Sequence, residues 1–487
     1  MDKYTSPGVY VESVSSVVSV DDSLSTGIGG FIGIAERGPN YPVLISSWQE
    51  YIDTFAFGMD SPFLSYSSLA FAVYGFFQNG GKQCYVQRAI GGVNATYSTA
   101  SVSYTPQGSE KPVVLFELRA IERGAWGNKL SCELSKSRTM GNYILTIKYN
   151  GNAVETFDAP WESLASAIAT SRFVVLTGEI SEDAPVFTPP PHELRLITSD
   201  FTGGADFYHP NLEYWKAGGS IERLNYITIL DEVLAASSGE EVFKTFSNAI
   251  AQRKETVIIV CSCEKLAPIP DVPDILGSMP LERIIAYYPL VKVPDPLNSG
   301  ALREVSPVGH VMGVFARIAQ ERGIWKAPAG TECTLKGVVS VAEPVDVGEL
   351  RAKGVNAIIY KPNYGVVIWG ALTQALNNDM AYVTDVLLDC YIKSAIDIAL
   401  QPAVFEPNNS ALWVRVKADI ESILDTLWRA GGLAGSEASQ AYYVKCDEEL
   451  NPESVRDAGE LRVEVGYARN RPAEFIIVKV AHSINRS

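Results

Sequence analysis

Positive charge is scarce in this chain. Its 487 residues carry 40 Lys and Arg against 56 Asp and Glu, which gives a formal net charge of −16 at pH 7. Proteins that bind nucleic acid need clustered Lys and Arg to displace counterions from the phosphates, and no basic block occurs here. The composition therefore excludes nucleic acid as an expected partner and favours an ordinary solvated acidic surface.

Histidine and paired cysteine are also rare. The four histidines lack the helical or hairpin spacing of metal ligands; they are His192, His209, His310 and His482. We expect His310, which lies between Pro307 and an apolar helix, to have a core or surface role. The seven cysteines form an odd, scattered set without a CxxC pair, which is typical of buried thiols in a reducing compartment. The sequence thus predicts no metal site.

Long apolar runs are absent. A membrane-spanning helix needs about 18 or more apolar residues, and the densest stretch, LAFAVYGFF at 69–77, reaches half of that length. The first residues lack a basic region followed by an apolar stretch, which is the pattern of a signal peptide. We therefore expect synthesis in the cytoplasm and no direct insertion into a membrane.

The motifs of common catalytic sites are missing as well. FFQNGGKQC departs from a Walker loop because Phe76 stands where the first glycine belongs and Gln83 where the hydroxyl belongs. GIGGFIG fails the dinucleotide-binding pattern at Ile32, and close packing of a core backbone explains its glycines better. No GxSxG or HExxH motif occurs, and no carboxylate pair stands out. We assign no catalytic residue and no cofactor. An α/β enzyme with an unrecognised site is the rival hypothesis.

What the sequence does contain is an alternation of strands and helices. GIGGFIGIAERGP (27–39) and KQCYVQRAI (82–90) are typical of strands. SSWQEYIDTFAFG (46–58) and SYSSLAFAVYGFFQNGG (65–81) are typical of helices. The alternation returns at 224–263 with LNYITIL, EEVFKTFSNAIAQRK and TVIIVCSC, one β-α-β unit with parallel strands. This order predicts an α/β fold.

The character changes between these two parts. From Gly91 to about Gly204 the sequence is rich in short strand patterns and turns. Pro189-Pro190-Pro191 within it suits only a surface connection. We therefore predict a β-rich module at 93–204 that is inserted into the α/β part.

A further unit follows, and it contains the clearest helix of the chain, at 408–432. One face of this helix is apolar and consists of Leu412, Trp413, Val416, Ile420, Ile423, Leu424 and Leu427. The other face is charged and consists of Arg415, Lys417, Asp419, Glu421, Asp425 and Arg429. Gly431 ends the helix. Strand patterns come next, at 441–446, 461–467 and 474–480.

Both ends of the chain carry a strand pattern without a nearby partner. The first strand, after the Pro7-Gly8 turn, consists of Val9, Tyr10, Val11 and Glu12. The last strand has apolar side chains on both faces, and these are Phe475, Ile476, Ile477, Val478 and Val480. An unpaired strand exposes a row of backbone donors and acceptors. These two segments therefore need partners from elsewhere.

An ordered set of stretches along almost the whole chain resembles one known family. The set comprises SPGVYVE, TGIGGFIGIAERGPNYPVLISSW, SYSSLAFAVYGFFQNGGKQCYVQR, GAWGN, GHVMGVFARIAQERGIWKAPAG, GVNAIIY, GVVIWGA, VFEPNNSALW, LWRAGGLAG, AYYVKCDEELNP and AGELRVEVGYARNRPAEFIIVKV. It resembles the contractile tail sheath proteins of phages, tailocins and contractile injection systems. The resemblance implies a multidomain α/β fold of mixed α+β character. It also implies a sheath core, a protruding insertion, and terminal arms that exchange strands with neighbouring subunits.

The resemblance assigns a place to each part of the chain. We predict an N-terminal arm and linker at 1–26 and a sheath core formed by 27–92 and 205–375. The β-rich inserted domain at 93–204 protrudes from this core. A C-terminal sheath domain at 376–487 carries a tube-facing helix and the C-terminal arm.

The resemblance also implies a structural function and not an enzymatic one. Such subunits polymerise around an inner tube in an extended, metastable state, and contraction drives the tube through a target envelope. The implied partners are further copies of the chain in a helical homopolymer of stacked rings, the inner tail tube protein, and baseplate and terminator or cap proteins. After synthesis in the cytoplasm, the protein is expected to be part of a phage tail or a contractile injection particle.

Two stretches depart from the family pattern. The chain has Ala371-Leu372-Thr373 where such sheaths often carry an arginine, and DVLLDCYIK (385–393) where they often have paired arginines. A minor, baseplate-proximal sheath paralogue or another tail component therefore stays open as an alternative.

We expect strand exchange between subunits to provide partners for the two end strands. Ordering one residue costs about 1–2 kcal/mol, whereas one new backbone hydrogen bond returns about 0.5–1.5 kcal/mol. Backbone pairing alone therefore does not drive the exchange. Burial of an apolar side chain such as Val9 or Ile476 adds about 1.5–3 kcal/mol. We expect packing to make the link and hydrogen bonds to set its direction.

The family places one helix of the C-terminal domain against the tube. Helix 412–430 is our candidate on this resemblance. The residues that we expect on its tube-facing side are Arg415, Lys417, Asp419, Glu421 and Arg429. An ordinary solvated helix face is the alternative, and both readings predict ion pairs of about 0–1 kcal/mol each.

Overall fold

The computed structural model describes most of the chain. It covers residues 27–59, 61–92, 94–106, 110–177, 196–216, 221, 223–236, 239–253, 257–262, 279–376 and 379–472. The predicted strand-exchanging residues lie outside the described residues; they are Val9, Tyr10, Val11, Glu12, Phe475, Ile476, Ile477, Val478 and Val480.

An eight-stranded sheet lies at the centre of the molecule, in the order β18-β17-β13-β12-β11-β1-β3-β2. Its strands are β1 (Gly29–Gly33), β2 (Val43–Ile45), β3 (Cys84–Arg88), β11 (Tyr226–Ile229), β12 (Ile258–Ser262), β13 (Ile284–Tyr288), β17 (Val355–Lys361) and β18 (Gly365–Trp369). All neighbours from β17 to β3 are parallel, and only the outer strands β18 and β2 run antiparallel. The predicted α/β fold and the parallel pair at 224–263 are confirmed.

Helices cover both faces of this sheet. They are α1 (Trp48–Phe55), α2 (Phe63–Tyr66), α3 (Ser68–Gln78), α5 (Asp231–Ala236), α6 (Gly239–Ala251), α7 (Val308–Arg322) and α8 (Val347–Ala352). Because successive strand residues point to opposite faces, Phe31 of β1 packs in the core that contains α1, α3 and α7. The next residue, Ile32, packs in the core that contains α6. Because both faces of the sheet are buried, its strands are apolar at almost every position in the sequence.

Helices α3 and α7 approach each other through glycine. A Cβ atom on Gly309 would lie 2.0 Å from the carbonyl oxygen of Ala72, and one on Gly313 would lie 2.4 Å from that of Phe76. His310 lies between these glycines and is buried, so the core role holds. The sequence placed it before the helix, whereas α7 already begins at Val308 because Pro307 is tolerated at a helix start.

The predicted single helix at 65–81 is two helices. Ser67 separates α2 from α3 with an extended backbone of φ −76° and ψ 122°. The hydroxyl of Ser67 donates a hydrogen bond to the carbonyl of Ile34 beside β1. This bond to a residue 33 positions away holds Ser67 in the extended conformation that separates the two helices.

The region between β3 and β11 has a hydrophobic core of its own. One sheet has the order β4-β5-β9 and the other the order β10-β6-β7-β8. These strands are β4 (Thr99–Tyr104), β5 (Val113–Ala120), β6 (Leu130–Lys136), β7 (Asn142–Tyr149), β8 (Asn152–Pro160), β9 (Val174–Leu176) and β10 (Ile197–Asp200), with helix α4 (Trp161–Ile168) between β8 and β9. The predicted β-rich character is confirmed, and the domain limits of 93 and 204 stay a prediction.

Buried charges join this inserted region to the central sheet. Arg88, at the end of β3, is 1% exposed and donates hydrogen bonds to the carbonyls of Ala35 (2.9 Å) and Arg123 (2.8 Å) and to Asp206 (3.2 Å). The carboxylate of Glu36, which is 2% exposed, accepts from Tyr149 of β7 and Ser61 and pairs with Lys129 at 3.2 Å. Arg88 and Glu36, which lie near the central sheet, thus bond to residues of the inserted region and hold it against the sheet.

A small sheet and a helical unit complete the described chain. The small sheet consists of β14 (Val291–Pro294), β15 (Leu302–Val305) and β16 (Ser340–Val341). The C-terminal unit consists of α9 (Val383–Leu400), α10 (Ser410–Arg429), α11 (Ala438–Ala441), β19 (Tyr442–Lys445), α12 (Glu453–Asp457) and β20 (Glu464–Tyr467). Side chains of α9, α10 and β19 form its core.

Candidate assembly interface in the C-terminal unit

Helix α10 is the predicted helix of the C-terminal unit, and its ends are set by local signals. The side chain of Asn409 accepts a hydrogen bond from the backbone N–H of Leu412 at 3.1 Å, as an N-cap does. Gly431 follows the last turn with φ +83°, a conformation that favours glycine. The buried residues of the apolar face are Leu412, Trp413, Val416, Ile420, Leu424 and Leu427, and Ile423 is half-buried.

The candidate tube-facing residues lie on the opposite face of α10, and the cations among them already have partners in the same chain. Arg415 lies 4.0 Å from Glu406, Lys417 lies 3.7 Å from Glu421, and Arg429 lies 2.5 Å from Asp425. Asp419 is exposed. Partly exposed pairs of this kind are worth about 0–1 kcal/mol each because solvent screens them. Their charge is thus balanced locally.

An exposed aromatic side chain lies beside the start of α10. Phe405 is 86% exposed and has φ +69°, a conformation that a bulky residue adopts only at a cost. Val414, on the outer face of α10, is 69% exposed. The sequence analysis missed both residues, since neither periodicity nor charge singled them out.

Among the described residues, β19 and β20 form a sheet of two strands. They are antiparallel, with Tyr442 opposite Tyr467 and Lys445 opposite Glu464. Within the part of the chain that the structure describes, each strand has one hydrogen-bonded neighbour. An isolated two-stranded sheet is marginally stable, and a third strand or a packed helix supports it. Val444 and Val465 of this sheet pack into the core of α9 and α10, so one face of the sheet is covered.

Three aspartates in the first two turns of α9 and just before it, which we call the acidic ladder, contact the end of β20 and the segment that follows it. Asp389 accepts from the hydroxyl of Tyr467 at 3.5 Å, Asp385 lies 3.8 Å from the guanidinium of Arg469, and Asp379 lies 3.4 Å from that of Arg471. The described residues end at 472, directly after this contact.

Two members of the acidic ladder are almost inaccessible to solvent. Asp385 is 2% exposed and Asp389 is 9% exposed. Burial raises the pKa of Asp385, and the nearby guanidinium of Arg469 offsets part of this rise. Burial and the adjacent Asp389 carboxylate raise the pKa of the Tyr467 hydroxyl. Sequence reasoning missed the ladder, although the alternation of Tyr467, Arg469 and Arg471 was a usable signal.

Chemistry of other kinds finds little support in the described residues. In the described ranges, no group of three His, Cys, Asp or Glu side chains could hold a metal ion. No described helix has the length and apolar character needed to cross a bilayer. A cleft of about 700 Å³ lies where the insertion meets the central sheet, and Tyr41, Glu122 and His209 are among its lining residues. These side chains do not form a nucleophile–base arrangement.

Comparison with known proteins gives one family match. Residues 376–482 match the family model described as phage tail sheath C-terminal domain. This range contains α9, α10, the two-stranded sheet and the acidic ladder. No curated protein matches the sequence.

Solved structures match almost the whole chain. A chain of the anti-feeding prophage baseplate is 22% identical with a TM-score of 0.58, and the match covers 99% of this chain and 100% of that one. A chain of an extracellular contractile injection system, the PVC sheath complex in its contracted state, is 20% identical with a TM-score of 0.56 and 99% coverage of both. A sheath tail protein from Listeria innocua is 14% identical with a TM-score of 0.60, covering 91% of this chain and 95% of the other. At these identities the likeness establishes a shared fold.

Proposed function

Since residues 376–482 belong to the phage tail sheath C-terminal domain family and the chain shares the fold of solved sheath proteins along 90% or more of its length, we propose that it is a subunit of a contractile sheath. Copies of the chain assemble into a helical homopolymer around an inner tube. The polymer forms in an extended, metastable state and contracts, which drives the tube through a target envelope.

The observation that carries this proposal is the unfinished sheet of β19 and β20. It lies within the matched family domain and has two strands in the described chain. The sequence supplies two further strand patterns, at 9–12 and 474–480, without a nearby partner pattern. We propose that arms of neighbouring subunits complete this sheet, with Val9 and Val11 or the side chains of 475–480 covering its apolar positions.

The inner tube is the proposed partner of α10. Its cations have intrachain partners at 2.5–4.0 Å, so the helix presents a face of balanced charge. A tube held by such weak, screened contacts can be released when the sheath moves outward, because no strong ion pair has to be broken. Baseplate and terminator or cap proteins are the further partners of the sheath, which acts outside the bilayer.

Replacing two arm valines tests the exchange. We expect Val9→Ser/Val11→Ser to abolish polymer formation while the subunit keeps its far-UV circular dichroism spectrum, because packing and not backbone pairing drives the link. Val17→Ser/Val18→Ser in the linker is the matched control and should polymerise normally. Negative-stain images of the chain expressed with its tube protein provide the measurement. Normal sheaths from the arm variant would remove the exchange from the proposal.

The alternatives give different outcomes in the same preparation. A minor, baseplate-proximal paralogue would form a single ring and no long polymer, and one of the matched structures is a baseplate. An enzyme would elute as a monomer from gel filtration under all conditions and show a melting shift with a small ligand. We expect neither of these results.

A further inference from the structure

We propose that the acidic ladder is the anchor of the C-terminal arm: Asp379, Asp385 and Asp389 grip the last described segment, so that tension on the arm passes into the subunit core. This inference rests on the proposed strand exchange and adds to it the residues through which the arm is held. The ladder joins the segment that precedes the arm to α9 of the C-terminal unit.

The geometry is that of two matched repeats. In an extended chain every second side chain lies on one face, and Tyr467, Arg469 and Arg471 follow this spacing. On a helix, residues four apart lie on one face, and Asp385 and Asp389 of α9 follow that spacing. The two sets of side chains contact each other. The hydroxyl of Tyr467 donates a hydrogen bond to Asp389, and the guanidinium of Arg469 pairs with Asp385.

Further contacts fix the path of the chain after β20. Arg469 also donates to the carbonyl of Asp379 at 2.9 Å, and its backbone bridges to Leu433. The amide of Asn470 donates to the carbonyl of Gly431 at 3.0 Å. The side chain of Arg469 is only 14% exposed. These bonds hold the segment at 469–470 on both sides.

Helix α9 is placed to receive tension, because it belongs to two hydrophobic cores. Val383, Val386 and Leu387 pack in the core of the central sheet. Leu388, Tyr391 and Ile392 pack in the core of the C-terminal unit. Asp385 and Asp389 lie in this same stretch, so a pull on Arg469 acts where the helix is embedded in both units.

The Arg469–Asp385 pair is the central contact, and it is incompletely bonded. The two groups are 3.8 Å apart, and Oδ2 of Asp385 has no hydrogen-bond partner within the described chain. Removing Arg469 alone leaves a buried carboxylate without its nearest counter-charge, which is strongly destabilising in general. The test therefore needs a variant in which this carboxylate is neutral as well.

Four variants of the full chain make the test. Arg469→Met removes the central cation, and Arg469→Met/Asp385→Asn removes the buried charge with it. Arg471→Met removes the outer pair, whose groups are both more than half exposed, so the variant will fold. Arg462→Met is the matched control, since Arg462 pairs with Glu460 at 2.6 Å in the same unit but not with the ladder.

Polymerisation and polymer strength are the readouts. For the Arg469 variants we expect the protein concentration needed for polymerisation to rise about tenfold, which corresponds to about 1.4 kcal/mol per contact. We also expect polymers that break into shorter pieces under shear than those of Arg462→Met. Arg471→Met should show the same change to a smaller extent. The thermal midpoint of the unassembled double variant and that of the control should lie close together.

Two results separate the anchor from the exchange. If the double variant and Arg471→Met polymerise at the control concentration and resist shear as the control does, the anchor is wrong. If a chain that ends at residue 472 still gives normal polymers, the exchange of the C-terminal arm itself is wrong. Loss of polymers in the shortened chain together with normal polymers from the ladder variants would overturn the anchor alone.

Discussion

The central sheet and the C-terminal sheet differ in how far each is complete within one subunit. The first has eight strands, and helices cover both of its faces. The second has two strands and a cover on one face from α9 and α10. Parallel sheets are stable only when both faces are buried, whereas a two-stranded antiparallel sheet is marginal alone. In the proposed assembly, the central sheet therefore stabilises the subunit, and the C-terminal sheet connects it to its neighbours.

We expect the largest loss of stability from a substitution in the helices that cover the central sheet. In Gly309→Val the new side chain meets the carbonyl of Ala72, since even a Cβ would lie 2.0 Å from it. Separation of α3 from α7 should cost about 4–5 kcal/mol or more, and the yield of folded protein should collapse. Ala418→Val on the exposed face of α10 is the control. A normal urea midpoint for Gly309→Val would contradict the close packing of these helices.

Truncation of a buried side chain in the C-terminal core tests whether this unit and the central sheet unfold separately. Ile420 of α10 is 0% exposed, and Ile420→Ala should destabilise its unit by about 2–5 kcal/mol. We expect hydrogen exchange to accelerate in α9, α10 and β19 while the central strands keep their protection. Ile259→Ala, at a site in β12 that is also 0% exposed, should accelerate exchange in the central sheet instead. Uniform loss of protection in both variants would mean that the two units unfold as one.

Acid should weaken the central unit through His310. Burial without a hydrogen-bond partner for Nδ1 in the described residues lowers the pKa of this imidazole to about 4 from its usual 6.5. The unfolded chain therefore binds the proton first as the pH falls, so stability declines between pH 6.5 and pH 4, by about 3 kcal/mol in all. Urea midpoints of the wild type and His310→Gln at pH 7 and pH 4.5 measure this difference. An equal loss in both proteins would assign the acid sensitivity to other groups.

The smallest effect is expected on the charged face of α10. Lys417→Ala and Arg429→Ala each remove one exposed ion pair, and the free energy of unfolding should change by less than about 1 kcal/mol. Ala411→Ser on the same helix serves as the comparison variant. A larger loss in either case, seen as a shifted urea midpoint of the unassembled subunit, would show that these pairs stabilise the helix itself.

Many helices and strands could be predicted because the apolar residues within each of them follow the pattern of that element. The apolar positions of α10 repeat at helical spacing, and the central strands are apolar on both faces, so local pattern and tertiary packing agree. The break at Ser67 could not be predicted, because its cause is a hydrogen bond to Ile34 from a distant part of the chain. The exposed Phe405 has a left-handed backbone that no periodic pattern signals.

The candidate interface was predictable in part. The charged face of α10 follows from spacing alone, but its ion pair between Arg415 and Glu406 depends on how the preceding loop folds back. The acidic ladder joins residues more than 70 positions apart, Asp389 and Tyr467 among them. The alternation of Tyr467, Arg469 and Arg471 signals one face of an extended segment, but one sequence does not show which helix this face meets. The predicted arms fall outside the described residues, so their role stays a prediction.

The bonds that tie Arg88 and Glu36 across the connection have a practical consequence. They hold the inserted region to the central sheet, so that the two move together as one rigid body. Met140, at the tip of the β6–β7 hairpin, is 96% exposed and is a suitable position for a fluorescent or gold label. If the proposed contraction takes place, the displacement of such a label would report the angle through which each subunit rotates.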